Sequence, residues 1–178
     1  MSMEKPLDPE KLRNVLALVL DVDGVLTNGQ IVYDGQGEEI KSFSVHDGLG
    51  IRMLQDAGIP VGIVTGRACP ALTARLANLG IQHKWVGVTD KAGVLPQVEA
   101  ALGIPGSRMA YMGDDFPDLG LFSRVGVSIT VAGAHPLVRD AAQIITTKSG
   151  GHGAVREVCE AILASQGRMH EILQKFRA

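Results

Sequence analysis

The chain has 178 residues, 46% of them hydrophobic but only 4% aromatic, and a formal net charge of −2. That is enough apolar material for one sizeable core of Val, Ile, Leu and Ala, and without a dense Lys/Arg block it excludes nucleic acid as the main partner. The two cysteines, Cys69 and Cys159, supply neither a disulfide framework nor metal-ligand spacing, so a reducing, cytoplasmic setting is expected.

Met1–Pro9 is charged and punctuated by proline, without the apolar centre of a signal peptide. No apolar run approaches the ~20 residues of a membrane-spanning helix, so no membrane partner is expected. Val15–Leu20 is a continuous apolar run and predicts a buried strand, ending at Asp21-Val22-Asp23-Gly24-Val25. Gln30–Tyr33, the Gly-containing turn Asp34–Gly37 and Glu38–Val45 predict a β-hairpin inserted directly after that acidic loop. Helical spacing follows over Leu49–Ala57, then a strand over Ile59–Val64 ending at Thr65-Gly66-Arg67. A helix over Pro70–Leu79 leads to a short strand, Gln82–Val86, and a helix over Lys91–Leu102. Arg108–Met112 predicts a fourth strand of the alternation, ending at Gly113-Asp114-Asp115, with a helix over Pro117–Val125. Strands over Val127–Val131 and Gln143–Thr146 flank a helix over His135–Ala141, and Ala154–Ser165 predicts the last long helix. Gly58, Gly80 and Gly103 fall where left-handed helix caps are wanted. Strands alternating with helices imply an α/β fold, a Rossmann-like, mainly parallel sheet flanked by helices. The whole of residues 1–178 is expected to be one domain, with residues 30–45 as the hairpin and 167–178 as a mixed basic and apolar tail. The hairpin is a lid or an oligomerisation element, because an isolated two-stranded ribbon is marginal in water.

The polar clusters at the strand ends carry the chemistry. In an open parallel sheet such clusters converge on one crevice beyond the carboxyl ends of the strands. Asp21 and Asp114 are hard oxygen donors suited to Mg²⁺, which prefers few carboxylates together with water and phosphate. Thr65 can donate a hydroxyl hydrogen bond to a phosphoryl oxygen, and the backbone N–H groups after it point the same way. Lys91, opening its helix, is a point charge for the same group. A carboxylate here can act as nucleophile and form an aspartyl-phosphate; a second one, two residues on, can protonate the leaving oxygen and then activate water. A phosphoacceptor signalling domain gathers similar residues, but it wants its acceptor Asp after the third strand, where Val86 is not followed by one.

The set Asp21-x-Asp23-Gly-Val, Thr65-Gly66-Arg67, Lys91 and Gly113-Asp114-Asp115-x-x-Asp118 resembles the four motifs of the haloacid dehalogenase superfamily of phosphohydrolases. The resemblance implies Asp21 as nucleophile, Asp23 as general acid/base, and Thr65 and Lys91 as phosphoryl ligands. It also implies Mg²⁺ held by Asp21, the backbone carbonyl of Asp23 and Asp114, with Asp115 and Asp118 close by. The hairpin, Val45–Arg52 and Gly150–Cys159 are similar, more narrowly, to the capless 3-deoxy-D-manno-octulosonate 8-phosphate phosphatase family. That likeness implies no separate cap domain, a phosphorylated keto sugar acid as substrate, and a homotetramer whose hairpins meet and whose subunits cover each other's sites. Substrate contacts would fall on Asp23, Ser44, Val45, His46, Asp47, Gly48, Arg52, Thr65, Gly66, Arg67, Arg75 and Lys91, and the tail would reach a neighbour's site. His46 and His152 stand where this family often has Arg, and Leu49 where it often has Tyr, so a nine-carbon keto sugar acid 9-phosphate is the alternative substrate.

Overall fold

The computed structural model describes residues 5–177, so the first four residues of the charged amino-terminal segment and Ala178 at the end of the tail lie outside the described residues. The chain opens with α1 (Pro9–Leu12), whose first turn is capped by the Asp8 carboxylate accepting from Glu10 N. β1 (Ala17–Leu20) follows and is buried throughout. The insertion after it is a ribbon of β2 (Val32–Tyr33) and β3 (Glu39–Ile40), paired antiparallel with Tyr33 opposite Glu39. Then come α2 (Val45–Asp56), β4 (Val61–Thr65), α3 (Pro70–Asn78), β5 (His83–Val86) and α4 (Leu95–Leu102). The second half holds β6 (Met109–Met112), α5 (Leu119–Phe122), β7 (Val127–Thr130), α6 (Pro136–Ala141), β8 (Ile144–Ile145), α7 (Ala154–Ser165) and α8 (Met169–Gln174).

The main sheet has six strands in the order β5-β4-β1-β6-β7-β8, and every pairing in it is parallel. β1 is central, with Leu18 opposite both Val61 and Ala110. The chain builds outward from β1 on one side and then crosses to the other. The strand order therefore reverses between β1 and β6, and the crevice of a doubly wound sheet opens beyond that pair. Asp21 follows β1 and Asp114 follows β6 by two residues. β1, β4, β6 and β7 are buried along their whole length, whereas edge strand β5 alternates half-buried and exposed residues, as burial on both faces of the inner strands requires.

The expected hairpin is shorter than its sequence pattern. Its second arm stops at Ile40 and the chain turns into α2 at Val45, four residues before the expected helix start at Leu49. The cause is a cap: Ser44 Oγ accepts from the backbone N–H groups of His46 and Asp47. Gly48 and Gly50 weaken the helical signal over this turn but are needed for close packing. A Cβ on Gly50 would come within 3.0 Å of the Arg156 backbone in α7. The helix expected from Lys91 begins in regular form only at Leu95, with Pro96 in its first turn. The one expected over Pro117–Val125 is a 3₁₀ turn, Phe116–Asp118, running into the short α5. In the tail, α8 buries Ile172 while Leu173 and Phe176 remain exposed.

Candidate active site

Asp21 is 6% exposed, and its backbone N–H donates to Met112 O at 2.9 Å, which ties it to the end of β6. Lys91 Nζ sits between two carboxylates, 2.8 Å from Asp21 Oδ2 and 2.7 Å from Asp118 Oδ1. Asp118 is fully buried and its oxygens are fully used. Oδ1 also accepts from the Tyr111 hydroxyl at 2.6 Å, and Oδ2 accepts from the N–H groups of Asp114 and Asp115 at 2.9 and 3.1 Å. Asp118 is therefore a strut that fixes Lys91 and the Asp114 loop.

Asp21, Asp114 and Asp118 each bring a carboxylate oxygen within 4.8 Å of the others. Burial, then the charge of Asp118, raises Asp21 to about 6 despite the pull of Lys91. Burial and the charges of Asp21, Asp118 and Asp115 raise Asp114 to about 7. Burial pulls the Lys91 ammonium down, but Asp21 and Asp118 override it and its pKa is raised. Negative charge is thus in excess. The Asp114 carboxylate has no hydrogen-bond donor among the described residues, in contrast to Asp118. Gly24 presses against it with φ +85, and a Cβ there would lie 1.9 Å from Asp114 Oδ2. A buried and a half-buried carboxylate, Asp21 and Asp114, crowded together with spare lone pairs in an all-oxygen setting, fit a hard divalent cation such as Mg²⁺.

Thr65, at the end of β4, is 1% exposed. Its Oγ1 accepts a long bond from Arg67 N at 3.4 Å, which leaves its own proton free to donate. Asp21, Asp23, Thr65, Gly66, Arg67, Lys91 and Asp114 all line one cavity of about 340 Å³. Asp23 meets a network from the hairpin arm: Lys41 pairs with Asp23 and, at 2.7 Å, with Glu39, and Glu39 pairs with Arg67 at 3.0 Å.

The other expected substrate contacts do not line that cavity. Val45, Gly48, Arg52 and Arg75 line a separate hollow of about 260 Å³ with Leu49, Asn78 and Leu79. Arg75 donates to Ser44 O at 3.0 Å and lies over the Phe43 ring, and Arg52 donates to Asn78 O at 2.7 Å. Ser44 caps α2, and His46 is exposed on its first turn. Asp47 is 1% exposed and accepts from Gly153 N and Arg156 N, so it caps α7 from across the α2–α7 contact.

Residues 87–158 match the family of haloacid dehalogenase-like hydrolases. The 3-deoxy-D-manno-octulosonate 8-phosphate phosphatase of Escherichia coli K12 is 43% identical over 161 residues, covering 90% of this chain and 86% of that one. A cobalt-bound octulosonate 8-phosphate phosphatase from Haemophilus influenzae superposes with a TM-score of 0.90 at 42% identity, covering 94% of this chain and 99% of that one. The Moraxella catarrhalis phosphatase, solved with a magnesium ion, a phosphate ion and a KDO molecule, gives 0.90 at 41% identity, covering 94% and 97%. The chain belongs to the 3-deoxy-D-manno-octulosonate 8-phosphate phosphatase family.

The family match over residues 87–158 takes in Lys91, Asp114 and Asp118, and the longer relatives extend the likeness over nine-tenths of the chain. Three residues of the network in this phosphatase escaped the reading of its sequence. Glu39 lies on β3 and Lys41 follows its last residue, two positions on. Two opposite charges flanking Ile40 in the hairpin were the available signal. Tyr111 sits in the buried run of β6, where a hydroxyl needs a partner, and that need pointed to an acceptor nearby.

Proposed function

We propose that the protein hydrolyses 3-deoxy-D-manno-octulosonate 8-phosphate to the free eight-carbon keto sugar acid and inorganic phosphate, in lipopolysaccharide precursor synthesis. The observation that carries this is the convergence of Asp21, Asp23, Thr65, Lys91 and Asp114 on one cavity in a chain 43% identical to enzymes of that name.

Asp21 attacks phosphorus in line; the ester P–O bond breaks and an aspartyl-phosphate forms. Asp23 gives its proton to the leaving sugar oxygen, then takes one from water as that water attacks phosphorus and releases Asp21. Thr65 and the Gly66 N–H group donate to the non-bridging oxygens, and Lys91 adds a fixed positive charge. Asp21, Asp114 and the backbone carbonyl of Asp23 would hold Mg²⁺, which would supply positive charge against the phosphoryl oxygens. Arg67, with its fork of donors, suits the substrate's anionic groups.

The protein acts in the cytoplasm as a homotetramer. Two features support this: no helix among the described residues is long and apolar enough to cross a membrane, and the hairpin exposes Ile31, Val32, Tyr33 and Ile40. In the tetramer, Ser44, Val45, His46, Arg52 and Arg75 contact substrate bound in a neighbouring subunit, whereas Asp47 is buried as the cap of α7.

The test is phosphate release from a panel of sugar phosphates with Mg²⁺ present and after chelation. The eight-carbon substrate is expected to give the highest kcat/KM, with activity lost on chelation. Equal or greater efficiency on the nine-carbon keto sugar acid 9-phosphate would overturn the substrate assignment.

A further inference from the structure

Two acids and two bases close a ring at the mouth of the phosphate cavity. Lys41 bridges Asp23 and Glu39, Glu39 holds Arg67, and Arg67 Nε lies 3.9 Å from the second oxygen of Asp23. The Lys41 side chain is 1% exposed although it comes from a ribbon with exposed strands. Burying a lysine side chain forfeits hydration and rotamer freedom, so two carboxylate partners are needed to hold it there. Asp23 lines the cavity and Glu39 holds Arg67, which lines it too; among the described residues no main-sheet or helix residue bonds the Lys41 ammonium.

Asp23 and Asp118 are held very differently. Asp118 is fixed by four donors. Among the described residues the Asp23 carboxylate accepts one hydrogen bond, from Lys41. Its orientation in the cavity therefore depends on the residue that directly follows the hairpin's second strand.

We propose that Lys41 is a positioning residue for Asp23: it fixes the carboxylate in the orientation from which it exchanges a proton with the leaving oxygen, and Glu39 in turn fixes Lys41. The proposal rests on the acid/base role assigned to Asp23 above. It gives the inserted hairpin a task inside its own subunit, whatever it does between subunits.

The test is leaving-group dependence in the full-length protein with Mg²⁺. The octulosonate 8-phosphate needs its alkoxide protonated as it departs; p-nitrophenyl phosphate releases a stable anion and does not. The quantity compared is kcat/KM, which covers steps up to alcohol release. Lys41→Met is expected to lower it about 10- to 100-fold on the sugar phosphate and less than about threefold on the aryl ester. The aryl ester should show a burst of nitrophenolate, because water activation is also impaired. Lys41→Arg should recover part of the loss, and Glu39→Gln should show the same bias more weakly, which keeps the test decisive should Lys41→Met not fold. Equal losses on both esters, or unchanged rates, in variants with wild-type melting temperature would overturn the proposal. Asp23→Asn separates the two layers. If it shows the bias and the Lys41 and Glu39 variants do not, the positioning role alone falls. If Asp23→Asn shows no bias either, the acid/base assignment falls with it.

Discussion

Three carboxylates within bonding distance of one point have three fates set by their neighbours. Asp118 is saturated with donors, Asp21 shares Lys91, and Asp114 has no donor among the described residues. Asp21→Asn is expected to reduce kcat by about 10⁴-fold or more, as loss of a nucleophile does, with the circular dichroism spectrum unchanged. The same crowding makes stability depend on pH. Asp21 and Asp114 titrate at about 6 and about 7 in the folded protein, above the value near 3.8 that they take in an unfolded chain. Across that window the folded state binds more protons, so stability falls as pH rises from about 4 to about 7. In metal-free protein the loss should be on the order of a few kcal/mol. Thermal melts at stepped pH should show it, flattened by Asp114→Asn and reversed at pH 7 by added Mg²⁺. Tyr111→Phe removes one of four donors from a buried carboxylate. It should cost about 1–3 kcal/mol by denaturant unfolding, and it should lower kcat through the loosened Lys91.

At the scale of elements, the contact between α2 and α7 is fastened by one polar bond set. Asp47 projects from α2 and accepts from the first N–H groups of α7, where the helix dipole favours a negative charge. Burial raises its pKa and those backbone bonds lower it again, leaving a net rise. Asp47→Ala should strand one buried and one partly buried N–H group and cost about 2–4 kcal/mol, read as a lower melting temperature. The helix start at Val45 was hidden in the sequence for the same reason that it is stable in the fold. Gly48 and Gly50 are poor helix formers, and what offsets them is the Ser44 cap together with packing against Arg75 and Arg156. Ala154–Ser165, by contrast, was legible to the residue, because an amphipathic pattern buries Val155, Val158, Cys159 and Ile162 on one side.

For the whole molecule, the decisive surface is the hairpin. Val32, Tyr33 and Ile40 are about half exposed, more apolar area than a two-stranded ribbon can leave in water without a partner. Tyr33→Asp combined with Ile40→Asp should shift the protein from the proposed tetramer toward smaller species in light scattering. If the second hollow, with Arg52 and Arg75, serves a neighbour's site as proposed, the same variant should show a higher KM for the sugar phosphate.

The sequence by itself determined the alternating fold and the groups that follow its strands. Apolar runs specify strands buried on both faces, and a parallel sheet brings every strand end to one rim, so Asp21, Thr65, Lys91 and Asp114 were readable as a site from their positions alone. Only the tertiary structure decided how those groups are held. The division of labour among Asp21, Asp114 and Asp118 depends on which oxygens find donors. The Lys41 partnership joins residues 18 apart through a chain reversal. The separation of Arg52 and Arg75 from the phosphate cavity follows from where α2 and α3 pack. Spacing along the chain records periodicity, which is local; donors, charges and burial come together through contacts between distant segments, and those exist only once the chain has folded.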